Sequence, residues 1–259
     1  MKRKSLLLRL NALFLTLKER FLLENWLVIV LLITLTGLIC FPIYYRRIFS
    51  PVDNDYGSHI QIAIDFIKTR QMQPSMRAHP ILHYLLVFLV LVSRSHLEWH
   101  TALLIIQIFA QISTVLILYF WFGYGERKYW DWVRTGAALS LTFIGPIMIP
   151  AIWDQKLYFG YIGMANYHNP TIHLLKPLGL GSMILTIKAF SQKRASWIVI
   201  LFSCFLLTLA SWIKPNYSLV ILPALTLACV IWLLQKRSVD WKMVFFGFLI
   251  PGGINLIIQ

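Results

Sequence analysis

Residues 26–45 read WLVIVLLITLTGLICFPIYY, a run without a charged side chain. Its length matches the roughly 20 apolar residues that an α-helix needs to cross the hydrocarbon core of a bilayer. The whole chain is 58% hydrophobic and 13% charged, whereas about a quarter of the residues in a soluble domain are charged. The sequence therefore predicts an all-α fold, that of a polytopic transmembrane helical protein.

Apolar segments of the same character recur through residues 26–259. We expect them at 81–93, 101–122, 135–153, 177–190, 196–213, 217–234 and from 243 to the end. With the first run they make about seven or eight membrane segments. The last segment stops inside an apolar stretch. We therefore expect the natural protein to continue, so that 26–259 is a transmembrane module truncated at its C-terminus.

Segment 81–93 decides the topology, because it is shorter than the roughly 20 residues that a span needs. One interpretation is a short tilted span, which local thinning of the bilayer can accommodate. The other is a segment that dips into the membrane and returns. In that case fifteen of the 24 lysines and arginines lie on the cytoplasmic side, in agreement with the positive-inside tendency.

Residues 1–25 are leucine-rich and carry six lysines and arginines. We expect a cytoplasmic basic amphipathic segment on anionic lipids, and hence a cytoplasmic N-terminus in a multi-pass protein of the bacterial cytoplasmic membrane. A net charge of +14 would suggest nucleic acid for a soluble protein. Basic cytoplasmic loops account for this charge in a membrane protein, so membrane lipids are expected partners and nucleic acid is not.

The dipping topology places the polar chemistry of the chain on one face. The outer loops then cover about 46–80, 154–176 and 214–216, and all seven histidines fall at the outer face. This topology rests on lysine and arginine alone, so the grouping of the histidines is a partly independent observation. A functional site is therefore expected at the extracytoplasmic face.

The first outer loop carries Asp53, Asp55 and His59. Apolar residues at helical spacing predict an amphipathic juxtamembrane helix over about 57–70. Asp55 and His59 are four residues apart, so they share a helix face and could hold a divalent metal ion such as Mg²⁺ or Mn²⁺. Asp53 would then be a base or a further ligand. The alternative is that one aspartate caps the helix and that His59 is a solvated flanking residue.

Three later stretches carry further candidates for substrate binding. Each has a structural alternative, since His and Tyr anchor helices at interfaces, Asn caps helices and Lys snorkels to head groups. Pro170 excludes a regular helix through the second stretch, which we interpret as an ordered loop that enters the membrane at Pro177. The candidates are His79 and His83; Asn166, His168, Asn169, His173 and Lys176; and Lys214 and Asn216.

The order of these features resembles the GT-C class of integral-membrane glycosyltransferases, which use polyprenyl-phosphate sugars. The likeness rests on the acidic motif VDNDYGSH at 52–59, after the first span, and on the proline-led segment HPILHYLL at 79–86. That segment is similar to the Pro-Pro-Leu-Tyr-Tyr type of start in the dolichyl-phosphate-mannose and aminoarabinose transferase branch. The layout covers most of the chain, although the acidic motif is Asp-Asn-Asp and not two adjacent carboxylates.

The resemblance implies transfer of a sugar from a lipid-linked donor, a polyprenyl-phosphate sugar, to an acceptor at the extracytoplasmic face. Asp53 or Asp55 would be the general base, and Lys176 and Lys214 would neutralise the phosphate leaving group. Two alternatives are a transporter or flippase-like protein for lipid-linked saccharide and a non-catalytic membrane subunit. Titratable residues at one face, instead of near the midplane, favour the transferase over the transporter.

Overall fold

The computed structural model describes residues 26–50, 54–74, 77, 80–123, 131–143, 170–190 and 194–258. The first five helices are α1 (Trp26–Ile48), α2 (Asp55–Thr69), α3 (Ile81–Val92), α4 (Trp99–Phe122) and α5 (Asp131–Phe143). The next five are α6 (Pro170–Lys188), α7 (Trp197–Ile213), α8 (Asn216–Leu234), α9 (Trp241–Val244) and α10 (Ile250–Ile258). The π-helical stretch Phe245–Leu249 joins α9 to α10. Every regular element in these residues is helical, so the predicted all-α fold is confirmed there.

Four helical stretches are long and apolar enough to cross a membrane: α1, α4, α8 and the continuous stretch Trp241–Ile258. The α3 and α7 helices are apolar but shorter. Large apolar side chains cover the outside of the bundle, for example Leu27, Phe109 and Leu234. Exposed apolar surface of this extent belongs in contact with lipid or with another protein. These features are those of a helical membrane protein.

Helices α1 and α4 pack antiparallel at the centre of the bundle. At one end the ring of Phe49, just after α1, lies 5.4 Å from the ring of His100 in the first turn of α4. At the other end Val28 and Leu32 of α1 share a core cluster with Tyr119, near the end of α4. The end with Phe49 and His100 is called the first-loop end below, and the other is the opposite end.

The two helices between α1 and α4 both lie at the first-loop end. Phe49 precedes α2 and His100 follows α3, so the chain leaves and re-enters the central pair at the same end. Tyr56 of α2 and Leu82 of α3 lie in the core cluster that also holds the start of α4. The α3 helix therefore does not carry the chain to the opposite end of the bundle.

The next two helices run between the two ends in turn. In α5, Arg134 donates a hydrogen bond to the Tyr119 carbonyl at 3.2 Å near the opposite end. Phe143, the last residue of α5, packs against the core cluster of the first-loop end. The α6 helix begins at that end with Pro170, beside α4, and reaches the cluster of the opposite end at Leu180.

The last helices continue this alternation. Ile213, which ends α7, is buried in the cluster of the first-loop end. After α8, the Asp240 carboxylate accepts a hydrogen bond from the Ala195 N–H at 2.6 Å, near the opposite end. Asn255 of α10 accepts a hydrogen bond from the indole of Trp212, back toward the first-loop end.

A helix begins earlier than the sequence predicts in the stretch before Pro177. The prediction of an ordered loop without a regular helix is wrong for 170–176, because α6 begins at Pro170. Proline suits the first turn of a helix, where its missing N–H would have no intrahelical partner anyway. His173 and Lys176 therefore lie on a helix and not in a loop, and Pro177 is accommodated inside that helix.

Candidate functional site

The start of α2 holds Asp55 at the first-loop end. Asn54 is the N-cap, and its side-chain oxygen accepts a hydrogen bond from the Gly57 N–H at 3.1 Å. The Asn54 amide also donates to the Arg47 carbonyl at 3.1 Å and so ties α2 to the end of α1. Because Asn54 caps the helix, the capping explanation does not apply to Asp55, whose side chain is half-buried. Asp53 lies outside the described residues.

Tyr56 is buried directly beside Asp55. Its side chain is 2% exposed and belongs to the same cluster as Tyr44 of α1. Burial raises the pKa of Tyr56 to about 12, while the positive charge of Arg47 opposes this rise and the negative charge of Asp55 adds to it. Arg47 and Asp55 are therefore both close enough to act on the phenol, and the Tyr56 hydroxyl keeps its proton at neutral pH.

His59 and His83 form a buried pair between α2 and α3. Nδ1 of His59 lies 2.9 Å from Nε2 of His83, and the ring centroids are 5.0 Å apart. One ring donates and the other accepts in this contact. The two side chains are 6% and 0% exposed. His59 is therefore not a solvated flanking residue, and His83 is not an anchor at the membrane interface.

A second buried polar cluster links three helices. The Gln111 amide of α4 donates to the Tyr44 hydroxyl at 2.7 Å and lies 2.9 Å from Nδ1 of His173 in α6. The Tyr44 ring meets the His173 ring edge-on, with centroids 5.2 Å apart. One turn earlier on α4, Gln107 donates to the Pro170 carbonyl at 3.1 Å. Fully buried polar side chains thus hold α1, α4 and α6 together.

Sequence reasoning missed Gln107 and Gln111. The signal was present, because two glutamines four residues apart share one face of a helix. Polar residues inside a membrane helix nearly always face the interior of the bundle. The pair therefore marks the buried face of α4. Tyr44 carried no such signal, since a tyrosine near the end of a span is also typical of an interfacial anchor.

The two candidate lysines lie around the first half of α6. Lys176, in its second turn, is half-buried and close enough to Cys40 of α1 for the two side chains to interact electrostatically. Lys214 is half-buried in the turn between α7 and α8. That turn packs on α6, because the Tyr217 hydroxyl donates to the Gly179 carbonyl at 2.9 Å.

Most of the described candidates thus lie on elements of the first-loop end, and Lys176 lies farther inside the bundle beside Cys40. Asp55, His59 and His83 lie on α2 and α3, and Asn216 is the exposed first residue of α8. His83 and His173 are fully buried, so they support the site from behind instead of lining its surface. The candidates outside the described residues are Asp53, His79, Asn166, His168 and Asn169.

The described residues do not assemble a set of metal ligands around Asp55 and His59. Nδ1 of His59 faces His83, and no three His, Cys, Asp or Glu side chains gather as a metal-binding group in the part of the chain that the structure describes. Mg²⁺ and Mn²⁺ prefer several oxygen ligands, whereas the neighbour of His59 is a second imidazole. The divalent ion stays a prediction, and no step of the reaction proposed below uses it.

The first-loop side offers the carboxylate of Asp55 and the ammonium group of Lys214, and Lys176 lies about one turn farther along α6 than His173. A carboxylate can accept the proton of a hydroxyl, and ammonium groups can stabilise an anionic leaving group. The chain matches no protein-family model, no curated protein and no solved structure. The geometry of this end is therefore the basis for assigning a function.

Proposed function

We propose that the chain is a membrane glycosyltransferase of the GT-C kind, which transfers a sugar from a polyprenyl-phosphate donor to an acceptor hydroxyl. The observation that carries the proposal is the placement of Asp55 and Lys214 at helix ends on the first-loop side of an apolar helical bundle, with Lys176 farther in, beside Cys40 of α1. A lipid-linked donor brings an anionic phosphate to the membrane surface, where lysines can meet it. A nearby carboxylate supplies the base that such a displacement needs.

In the proposed reaction, the acceptor hydroxyl gives its proton to the carboxylate of Asp55 while its oxygen attacks the anomeric carbon. The bond between that carbon and the phosphate oxygen breaks on the opposite face of the sugar, so the configuration inverts. The lipid phosphate leaves with the bonding electron pair. Lys176 and Lys214 balance the negative charge that develops on it. Asp53 is the alternative base.

The first-loop end is assigned to the extracytoplasmic face. All five described histidines lie in the loops or helix turns of this end. The described lysines and arginines are divided between the two sides, eight on the first-loop side and six at the opposite end. Over the whole sequence, the dipping topology puts fifteen of the 24 on the cytoplasmic side. The four stretches that are long and apolar enough, α1, α4, α8 and Trp241–Ile258, then cross the membrane of a bacterium, while α2 and α3 lie at its outer surface. The histidines are His59, His83, His96, His100 and His173. The basic residues of the opposite end are Arg134, Lys188, Arg194, Lys236, Arg237 and Lys242, and those of the first-loop side are Arg46, Arg47, Lys68, Arg70, Arg77, Arg94, Lys176 and Lys214.

The two buried polar contacts are assigned to support the site. The His59–His83 pair holds α2 against α3, and Gln111 holds α6 against α1 and α4. Catalytic groups act best when their own helices are held in place by such supporting contacts. The pair and the cluster therefore fix the positions of Asp55 and Lys176 relative to the bundle.

A transporter for lipid-linked saccharide is the second candidate. The observation that favours it is the buried polar cluster around Gln111, since polar groups inside a membrane bundle often mark a transport pathway. Transporter sites lie near the bilayer midplane, whereas Asp55 and Lys214 lie at helix ends. The transferase accounts for these end positions, and the transporter does not.

The test uses the purified full-length protein in lipid nanodiscs or vesicles, with radiolabelled polyprenyl-phosphate sugars and a panel of saccharide acceptors. The transferase proposal expects label on an acceptor together with an equal release of lipid phosphate. Movement of the intact lipid-linked sugar between the vesicle leaflets, without transfer, would support the transporter instead. The absence of both activities would support the non-catalytic subunit.

A further inference from the structure

A shallow groove opens on the exposed side of α2, next to the turn that carries Asp55. Its volume is about 400 Å³, within the range of roughly 300–1,000 Å³ that is usual for small-molecule sites. It lies between the first half of α2 and the chain that follows this helix. The lining residues are Gly57, Ser58, Gln61, Ile62 and Gln73.

The lining is neutral and can both donate and accept hydrogen bonds. Ser58 offers a hydroxyl, and Gln61 and Gln73 offer amides. The Gln61 amide donates to the Asp65 carboxylate at 2.8 Å, and this bond restricts its side chain. Ile62 is buried and contributes little surface to the groove. The groove therefore suits an uncharged ligand with several hydroxyls better than it suits a phosphate.

The groove lies on the same helix as the proposed base, two residues beyond it, and Asp55 itself does not line the groove. Asp55, Ser58 and Ile62 are spaced at i, i+3 and i+7, so they lie along one face of α2. The lysines assigned to the phosphate, in contrast, lie on α6 and in the turn before α8. The neutral groove and the cationic residues thus belong to different elements of the first-loop end.

Gly57 keeps the groove open. A Cβ atom built at this position meets no other atom within 4 Å, so packing within the protein does not require glycine here. Glycine in a helix costs about 0.5–1 kcal/mol relative to alanine. A larger side chain at this position would enter the space of the groove without a clash inside the protein.

We propose that this groove is the acceptor subsite, which binds the neutral, hydroxyl-bearing part of a glycan and presents one hydroxyl to Asp55. The part of the inference in which an acceptor hydroxyl is presented to Asp55 rests on the proposed glycosyltransferase function. The binding of a neutral saccharide in the groove is independent of that function, since it depends only on the residues that line the groove.

Binding is tested by saturation-transfer NMR on the full chain in nanodiscs. The probes are neutral di- and trisaccharides of glucose, mannose, galactose and N-acetylglucosamine. Gly57→Val fills the groove, and Gln73→Ala removes one amide from its wall. Gln71→Ala is the matched control, because this glutamine is exposed in the same stretch but does not line the groove.

The wild type and Gln71→Ala are expected to receive saturation transfer with at least one saccharide. Gly57→Val should abolish it, and Gln73→Ala should weaken binding about 3- to 10-fold, the value of one hydrogen bond. No transfer with any saccharide overturns the inference. So does equal binding by the wild type, Gly57→Val and Gln73→Ala.

The glycosyl-transfer assay separates this inference from the proposed function. Gly57→Val should raise KM for the acceptor while KM for the lipid donor stays unchanged. Saccharide binding without any glycosyl transfer leaves the groove assignment standing and overturns the transferase proposal. Transfer with an unchanged acceptor KM in Gly57→Val supports the transferase and overturns the groove assignment.

Discussion

Nδ1 of His59 lies 2.9 Å from Nε2 of His83, and this contact joins α2 to α3 beneath the surface of the first-loop end. Both side chains are buried. Because a buried polar group that loses its partner keeps its full desolvation cost, the pair specifies how α2 docks on the bundle. The position of Asp55, in the first turn of α2, depends on that docking.

The histidine pair is expected to behave as a coupled unit. His59→Leu or His83→Leu alone should lower the free energy of unfolding by about 1–3 kcal/mol, because each leaves the other imidazole without this bond. The double variant should lose less than the sum of the two. Chemical unfolding in detergent measures the stability of all three variants. His96→Leu, at an exposed histidine, is the control, and its free energy of unfolding should stay close to that of the wild type. Strictly additive losses would contradict the contact.

The Gln111 cluster is expected to tie three helices together. Gln111→Leu removes the hydrogen bond to Tyr44 and the contact with His173, and should cost about 1–2 kcal/mol, near the upper end for polar contacts in membrane bundles. Tyr44→Phe should be coupled to it in a double-mutant cycle. Phe109→Leu, on the exposed side of the same helix, serves as the control. Equal stability of Gln111→Leu and the wild type would contradict the cluster.

Tyr56 is expected to make stability fall at high pH. Burial raises its pKa to about 12, whereas an unfolded tyrosine has a pKa of about 10. The contribution of Tyr56 to the free energy of unfolding is therefore constant below pH 10. Between about pH 10 and 12 only the unfolded state loses the proton, so the free energy of unfolding falls as pH rises, by up to about 1.4 kcal/mol per pH unit.

Difference titration of tyrosinate absorbance, wild type minus Tyr56→Phe, isolates this group. The account predicts a midpoint near 12 in the folded protein. A midpoint at the ordinary value of about 10 would show that Tyr56 is not buried beside Asp55. The loss of stability above pH 10 should be smaller in Tyr56→Phe than in the wild type.

The topology is expected to place both flanks of α3 on one side of the membrane. Single cysteines at Arg70, Glu98 and Lys214, in a chain without its three native cysteines, should react with a membrane-impermeant thiol reagent from the outside. A cysteine at Lys236 should react only from the inside. Labelling of position 98 from the cytoplasmic side would show that α3 crosses the membrane and would overturn the arrangement of α1 and α4.

The sequence predicted the apolar helices well where an apolar run ends at a turn. The predicted segments 196–213 and 217–234 correspond to α7 and α8, because Lys214-Pro215 interrupts hydrophobic periodicity at that point. The start of α6 was missed, since Pro170 was interpreted as a helix breaker. Proline breaks the interior of a helix but suits its first turn, and the sequence alone did not distinguish the two positions.

The buried polar contacts could not be predicted from local patterns. His59 and His83 are 24 residues apart, and Gln111 and His173 are 62 apart. Spacing rules describe neighbours on one helix, whereas these contacts depend on how separate helices pack. For the same reason the sequence placed Asp55 and His59 together on one face but did not show that His59 turns toward α3.

The most direct test of the central claim compares two aspartates of α2 in the transfer assay. Asp55→Asn should lower transfer from a radiolabelled polyprenyl-phosphate sugar by about 10²–10⁴-fold, the usual loss on removal of a general base. Asp65→Asn, on the same helix, keeps a side-chain oxygen that can accept the hydrogen bond from Gln61, so it should cost far less activity than Asp55→Asn. Full activity in the double variant Asp53→Asn/Asp55→Asn, which removes both candidate bases, would contradict the account.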